Sequence, residues 1–246
     1  MQRYNMKRIA LLTLLLLPIL LKAQVSKWFI YPSLGVDMGG AIPFPLADIP
    51  DGANGTPKLN PSLGLGIEYA LATKWSIGLE ISYHQLAFSA NADVISQPFY
   101  FNNHQYILYF SGHTKTDVEL RMVEFPVMAV YNLNQRWSLM MGLYYSRILE
   151  GSFNTMGTNG VLSANKADTD ANHVGSASPS YNFNDNLDKW DAGLLIGYRY
   201  NIINRLYFWS NFNVGFNSIF TREFDNIDYE MYQLRLNVGA SFSFFK

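Results

Sequence analysis

From Trp28 almost to the last residue, apolar side chains recur at every second position and no helical period is sustained. A chain patterned this way folds into strands with one apolar face. In the first segment one parity carries Trp28, Ile30, Leu34, Val36 and Met38, and the other carries Tyr31, Ser33, Gly35, Asp37 and Gly39. The second sets Leu63, Leu65, Ile67, Tyr69 and Leu71 opposite Ser62, Gly64, Gly66, Glu68 and Ala70. After Ala72-Thr73-Lys74, the third sets Trp75, Ile77, Leu79, Ile81 and Tyr83 opposite Ser76, Gly78, Glu80, Ser82 and His84, and these two are expected to form a hairpin. Similar segments follow over 118–131, 137–146, 190–199, 205–216 and 232–244, so eight strands are expected. In the fourth, Leu120 and Met122 carry one apolar phase and Phe125, Val127, Ala129 and Tyr131 the other, which predicts a β-bulge near Met122-Val123.

The connections alternate in length. Those near 72–74, 132–136 and 201–205 are short, whereas 39–60, 89–117, 151–187 and 217–230 are long and polar, with Gly, Asn, Ser and Asp prominent. An outer-membrane barrel has short periplasmic turns, long extracellular loops and aromatic girdles at both interfaces. Trp75, Trp137 and Tyr200 stand beside the short turns, and Tyr83, Tyr145 and Trp190 lie nearer the long loops. A soluble lipocalin-type barrel also alternates, but it carries charge on its outer face and apolar residues inside. Here the face opposite the Leu, Phe and Trp rows is Gly, Ser, Asn and isolated charges. The composition agrees, with 49% hydrophobic, 15% aromatic and only 15% charged residues. The expected fold is all-β: an eight-stranded antiparallel up-and-down transmembrane barrel.

Residues 1–23 read as a cleaved signal peptide: Arg3, Lys7 and Arg8, an apolar run Ile9–Leu21 broken by Pro18, then Leu21-Lys22-Ala23 ahead of Gln24. Translation starts at Met1 or Met6, since Met6-Lys7-Arg8 supplies a complete basic region. The barrel domain is then 24–246, placed in the outer membrane of a Gram-negative cell. Removing four leader cations from 18 leaves 14 against 19 acids, which excludes a polybasic nucleic-acid binder. With no Cys there is no disulfide framework, thiolate nucleophile or lipoprotein anchor.

Chemistry-bearing residues fall in two groups. Glu68, Glu80, His84, Glu124, Arg199 and Arg235 take the inward parity and are expected as a luminal charge network. Glu68 and Glu80 are expected as cross-strand neighbours, with Arg199 near their level and Arg235 nearer Glu124, so that carboxylate–guanidinium contacts block the lumen. Glu80, Ser82 and His84 share one face, a grouping that also fits an acid, a nucleophile and a base. A lipid-modifying enzyme must show its site to the bilayer, however, and these residues alternate with lipid-facing Ile81 and Tyr83. No catalytic residue is assigned. His104, His113 and His173 lack ligand spacing, so no metal or other cofactor is expected. The second group, Phe99, Tyr100, Phe101, Tyr106, Tyr109 and Phe110, crowds the second long connection. It is either a hairpin extending strands three and four beyond the membrane or a surface interaction patch. The third long connection is expected to be mobile.

Ser33-Leu34-Gly35-Val36, Val123-Glu124-Phe125-Pro126-Val127, Trp190-Asp191-Ala192-Gly193 and Gly215-Phe216-Asn217-Ser218-Ile219 occur in this order. With them the chain resembles, over essentially all of 25–245, the PorT-like outer-membrane β-barrel family, described as the outer membrane protein beta-barrel domain. Lys246, after Phe244-Phe245, departs from the aromatic last residue usual in outer-membrane barrels. The resemblance implies a non-enzymatic barrel with structural or interaction duties and transfers no catalytic residue. Some relatives belong to type IX secretion, so an accessory role in envelope secretion or assembly is the finer expectation. A lipid-modifying enzyme comes next and a small conducting porin third. Expected partners are outer-membrane lipid, the barrel-assembly machinery and other envelope or secretion proteins, with no nucleic acid.

Overall fold

The computed structural model describes residues 27–44, 52–101, 106–164, 173–177, 180–222 and 230–244. The leader, its cleavage point, both candidate start methionines, His104 and Lys246 lie outside them. The strands are β1 (Trp28–Phe44), β2 (Asn54–Pro57), β3 (Asn60–Ala70), β4 (Trp75–Phe101), β5 (Tyr106–Asn132), β6 (Trp137–Ser163), β7 (His173–Ala177), β8 (Ser180–Asn182), β9 (Trp190–Ile203), β10 (Leu206–Ser218) and β11 (Glu230–Phe242). Eight of them close a ring in the order β1-β3-β4-β5-β6-β9-β10-β11, with β11 returning to β1, every pairing antiparallel. Closure leaves no open edge around the ring, the condition for a sheet in hydrocarbon.

The outer face is apolar, with Leu34, Leu63, Leu65, Ile77, Leu79, Ile81, Val127, Leu139, Met141, Leu143, Ile196, Phe212 and Val238 all exposed. Aromatic pairs ring one end: Trp28–Tyr69, Trp75–Tyr131 and Trp137–Tyr200 have centroids 4.5, 4.7 and 4.6 Å apart beside the short turns. Toward the other end Tyr145 stacks on Trp190 at 6.2 Å.

The expected bulge exists at the expected height but in the neighbouring strand. β5 keeps one inward parity from Thr114 to Val130, so Leu120 and Met122 face the interior and Arg121 faces out. The register jump is on β6, where Arg121 pairs with Glu150 and Met122 with Ile148, and Leu149 is the extra residue. The apolar pair Leu120 and Met122 misled the pattern because the upper lumen is itself apolar. Ala41, Leu86, Phe88, Val118, Leu120, Met122, Ile148, Phe153, Leu187, Ile219, Phe220 and Met231 form a buried cluster there.

The long connections are partly strand. Segment 89–117 continues as β4 and β5, each 27 residues long against 13 in β10 and β11. Segment 151–187, expected as a loop, opens as the upper half of β6, with β7 and β8 paired back onto it. The excess of 14 residues carries the β4–β5–β6 sheet roughly 45 Å along the strand direction.

Candidate functional site: the luminal network

The barrel turns every polar inward position toward a narrow axis, where a charge is poorly hydrated and needs partners. Near the short turns, Arg199 Nη1 and Nη2 donate to Glu68 Oε2 and Oε1 at 2.7 and 3.3 Å, a two-pronged contact. Arg199 also lies 5.1 Å from the Tyr207 ring centre. Farther up, Arg235 and Glu124, both fully buried, are joined through Nη2 and Oε2. Glu124 accepts two further bonds, from Ser146 Oγ at 2.9 Å and Asn213 Nδ2 at 3.1 Å. Arg235 Nη1 approaches the Met122 sulfur at 3.7 Å, and its guanidinium lies 5.7 Å from the Tyr144 ring centre. The Tyr144 hydroxyl donates to Asp191 at 2.8 Å.

His84 is tied at both ring nitrogens, Nδ1 to Asp37 at 2.8 Å and Nε2 to the Ser82 hydroxyl at 2.9 Å. A neutral ring protonated at Nδ1 donates to Asp37 and accepts from Ser82. Asp37 also accepts from Asn237 Nδ2, and Glu124 Oε1 stands 3.8 Å from His84 Nε2. Asp37, Ser82, His84 and Glu124 are therefore one connected group contributed by β1, β4 and β5.

Glu68 and Glu80 are not directly opposed as expected: Glu68 pairs with Gly78 and Glu80 with Gly66, a diagonal offset of two residues. Gly66, opposite Glu80, makes room for the Tyr31 ring, and Gly64, one pair along, makes room for Glu80 itself: a Cβ on Gly64 would stand 2.4 Å from Glu80 Oε1. Glu80 has no guanidinium partner among the described residues. It accepts from Ser33 Oγ at 2.8 Å and from the Tyr31 hydroxyl.

Sequence reasoning left Asp37, Asp191, Tyr144, Asn213 and Asn237 unassigned, although each takes the inward parity of its strand. Parity was the signal; their role depends on which strands the ring's tilt brings level across the axis. Trp209 was also missed. Its indole crosses the axis over Gly35 and Gly239, where added Cβ atoms would stand 2.8 and 2.5 Å from the ring. Between these layers lies a cavity of about 30 Å³ lined by Glu80, Ser82, His84, Glu124, Arg199 and Trp209 among others, room for about two waters.

Of the aromatic group, Phe110 is fully buried and offers nothing to a surface, and Tyr109 is half-buried. The backbones of Phe99, Tyr100, Phe101 and Tyr106 pair at the tip of the β4–β5 hairpin, and their side chains lie outside the described residues. Among the described residues no group of three or more His, Asp or Glu is set to hold a metal, and His113 pairs with Asp93 at 3.0 Å.

The model of a family described as "Outer membrane protein beta-barrel domain" matches residues 22–221. Solved structures similar to this chain include the attachment invasion locus protein Ail of Yersinia pestis. It is 12% identical, covers 89% of this chain and 99% of its own, and has a TM-score of 0.38. Neisserial surface protein A is 8% identical over 89% and 98%, with a TM-score of 0.38. OprG of Pseudomonas aeruginosa is 12% identical over 90% and 98%, with a TM-score of 0.36. No curated protein matches the sequence.

Proposed function

Because the chain belongs to the outer membrane protein beta-barrel domain family, we propose that it is a non-conducting, non-enzymatic outer-membrane barrel. Its work is to hold the tall β4–β5–β6 sheet outside the cell for contact with another envelope component. The observation that carries this reading is the filled interior, where two guanidinium–carboxylate pairs, the Trp209 indole and the upper apolar cluster occupy the axis. A barrel that neither conducts nor binds a sizeable ligand inside must act through its surfaces. The finer proposal is an accessory role in envelope secretion or assembly, supported by the resemblance to the PorT-like family. Its test is a pull-down of the intact protein from its own outer membrane. A reproducible set of secretion or assembly proteins is expected, and a barrel recovered alone would reject the role.

One observation favours a second reading, a lipid-modifying enzyme: Asp37, His84 and Ser82 form an acid–base–hydroxyl string with contacts of 2.8 and 2.9 Å. The string faces the lumen, and Ser82 and His84 are buried, so an acyl chain in the bilayer has no approach to the hydroxyl. His84→Ala is expected to leave the acyl composition of the envelope lipids unchanged in mass spectra. A loss of acyl groups tracking with both His84→Ala and Ser82→Ala would favour the enzyme.

A further inference from the structure

Four of the strands that run outward from the periplasmic end begin with a cation followed by an apolar residue: Lys27-Trp28, Lys74-Trp75, Arg136-Trp137 and Arg205-Leu206. All four cations are exposed, and none has an ion-pair partner among the described residues. No acid stands in the short turns Leu71–Lys74, Leu133–Arg136 or Asn204–Arg205. The opposite rim is mixed, with Lys58 bridged to Asp117 and Arg121 to Glu119 and Glu150. We propose that these four residues form a collar that binds the phosphates of anionic glycerophospholipids in the inner leaflet.

Depth supports this. Girdle tryptophans lie at the headgroup boundary, so the residue one step closer to water is level with the phosphates. Lysine and arginine stems lie along the apolar surface while their heads reach the phosphate plane. Spacing supports it too, because the cations sit at the starts of four separate strands, β1, β4, β6 and β10, alternate around the ring, where each meets a different lipid. The backbone adds an independent sign. Arg205 has φ 74°, in the left-handed region that glycine enters freely and arginine rarely. A charge is kept at the position where glycine would relieve the turn.

The test uses the protein purified from its membrane and reconstituted in bilayers, in a Trp190→Phe background. The lipid-accessible indoles are then Trp28, Trp75 and Trp137, since Trp209 is buried. Quenching by brominated phosphatidylglycerol is compared with brominated phosphatidylcholine. About fivefold tighter binding of the anionic lipid is expected, weakening as salt rises. The preference is expected to vanish in Lys27→Gln/Lys74→Gln/Arg136→Gln/Arg205→Gln and to survive exchange of each lysine for arginine and each arginine for lysine. Should the quadruple variant not fold, judged by heat-dependent gel mobility, Lys27→Gln/Lys74→Gln carries the test with about half the preference lost. Equal quenching by the two lipids, or a preference unchanged by the glutamines, overturns the proposal. Full displacement of phosphatidylglycerol by inorganic phosphate at matched ionic strength overturns the lipid as ligand and leaves a site for free phosphate.

Discussion

At the scale of single residues the most deeply buried ion pair among the described residues is Arg235 with Glu124. Neither side chain meets water, so neither charge has a substitute partner if the other is removed. Arg235→Ala is expected to cost about 3–5 kcal/mol in urea unfolding from detergent micelles, most of it the stranded carboxylate. The double variant Arg235→Met/Glu124→Gln removes both charges and is expected to lose clearly less than Arg235→Ala alone, because the amide oxygen still accepts from Asn213 Nδ2 and the amide nitrogen can donate to the Ser146 hydroxyl. A double variant no better than the single would show that shape, not charge pairing, holds this layer. The inward placement of both residues was legible from parity: Glu124 alternates with Phe125 and Val127, and Arg235 with Leu234 and Leu236. Their pairing was legible only from relative height, which put Arg235 nearer Glu124, because β5 and β11 meet across the axis and what lies level there depends on the ring's shear.

At the scale of elements, strand periodicity read the lower barrel closely and misread the upper part for one reason. Below the Glu124 level the inside is mostly small or polar, with Met128, Val130, Met140, Leu195 and Trp209 as the large apolar exceptions, and the outside is apolar, so Leu139, Met141 and Leu143 face lipid. Above it the interior turns apolar, and Leu120 and Met122 look like lipid-facing residues of a shifted strand. The offset on β6 gives a sharp test. Leu149 and Glu150 both face outward, so deleting Leu149 restores plain alternation and leaves every inward residue inward. This deletion is expected to change stability by no more than about 1 kcal/mol. Deleting Val123 from the unbulged β5 turns Leu120 and Val118 outward and Arg121 and Glu119 inward, and is expected to abolish the heat-modifiable band. Outside the membrane, the Ser89 hydroxyl and the Lys58 ammonium hold the Asp117 carboxyl below its ordinary value. A depressed folded-state value means the contact is fully present above the unfolded carboxyl's range and is lost as pH falls through the folded one. The segment before β3, strapped by Lys58, is therefore expected to lose amide-hydrogen protection, measured against the intrinsic exchange rate at each pH, below about pH 4.

At the scale of the whole molecule the interior is a stack of layers. Arg199–Glu68 and Trp209 lie near the short-turn end, the Asp37–His84–Glu124–Arg235 group midway, and the apolar cluster of Leu86, Phe88, Leu120, Met122, Phe153 and Phe220 above it. From the sequence alone the charges were expected to close the lumen, but the apolar layer closes it a second time without them. The two closures use different physics, so they are expected to fail separately. Wild-type protein in planar bilayers is expected to show no steady conductance. Arg235→Ala, which opens space only in the charged layer, is expected to stay closed because the apolar layer offers ions no hydration. Leu120→Ala/Phe220→Ala is likewise expected to stay closed, since Arg235 and Glu124 still span the axis below. Only the combination of these three substitutions with Arg199→Ala and Trp209→Ala aligns gaps through every layer, and it is the one variant for which steady channel events are expected, provided it keeps its heat-modifiable mobility. Conductance in Arg235→Ala alone would show that the charged layer is the sole barrier and that the apolar cluster admits water.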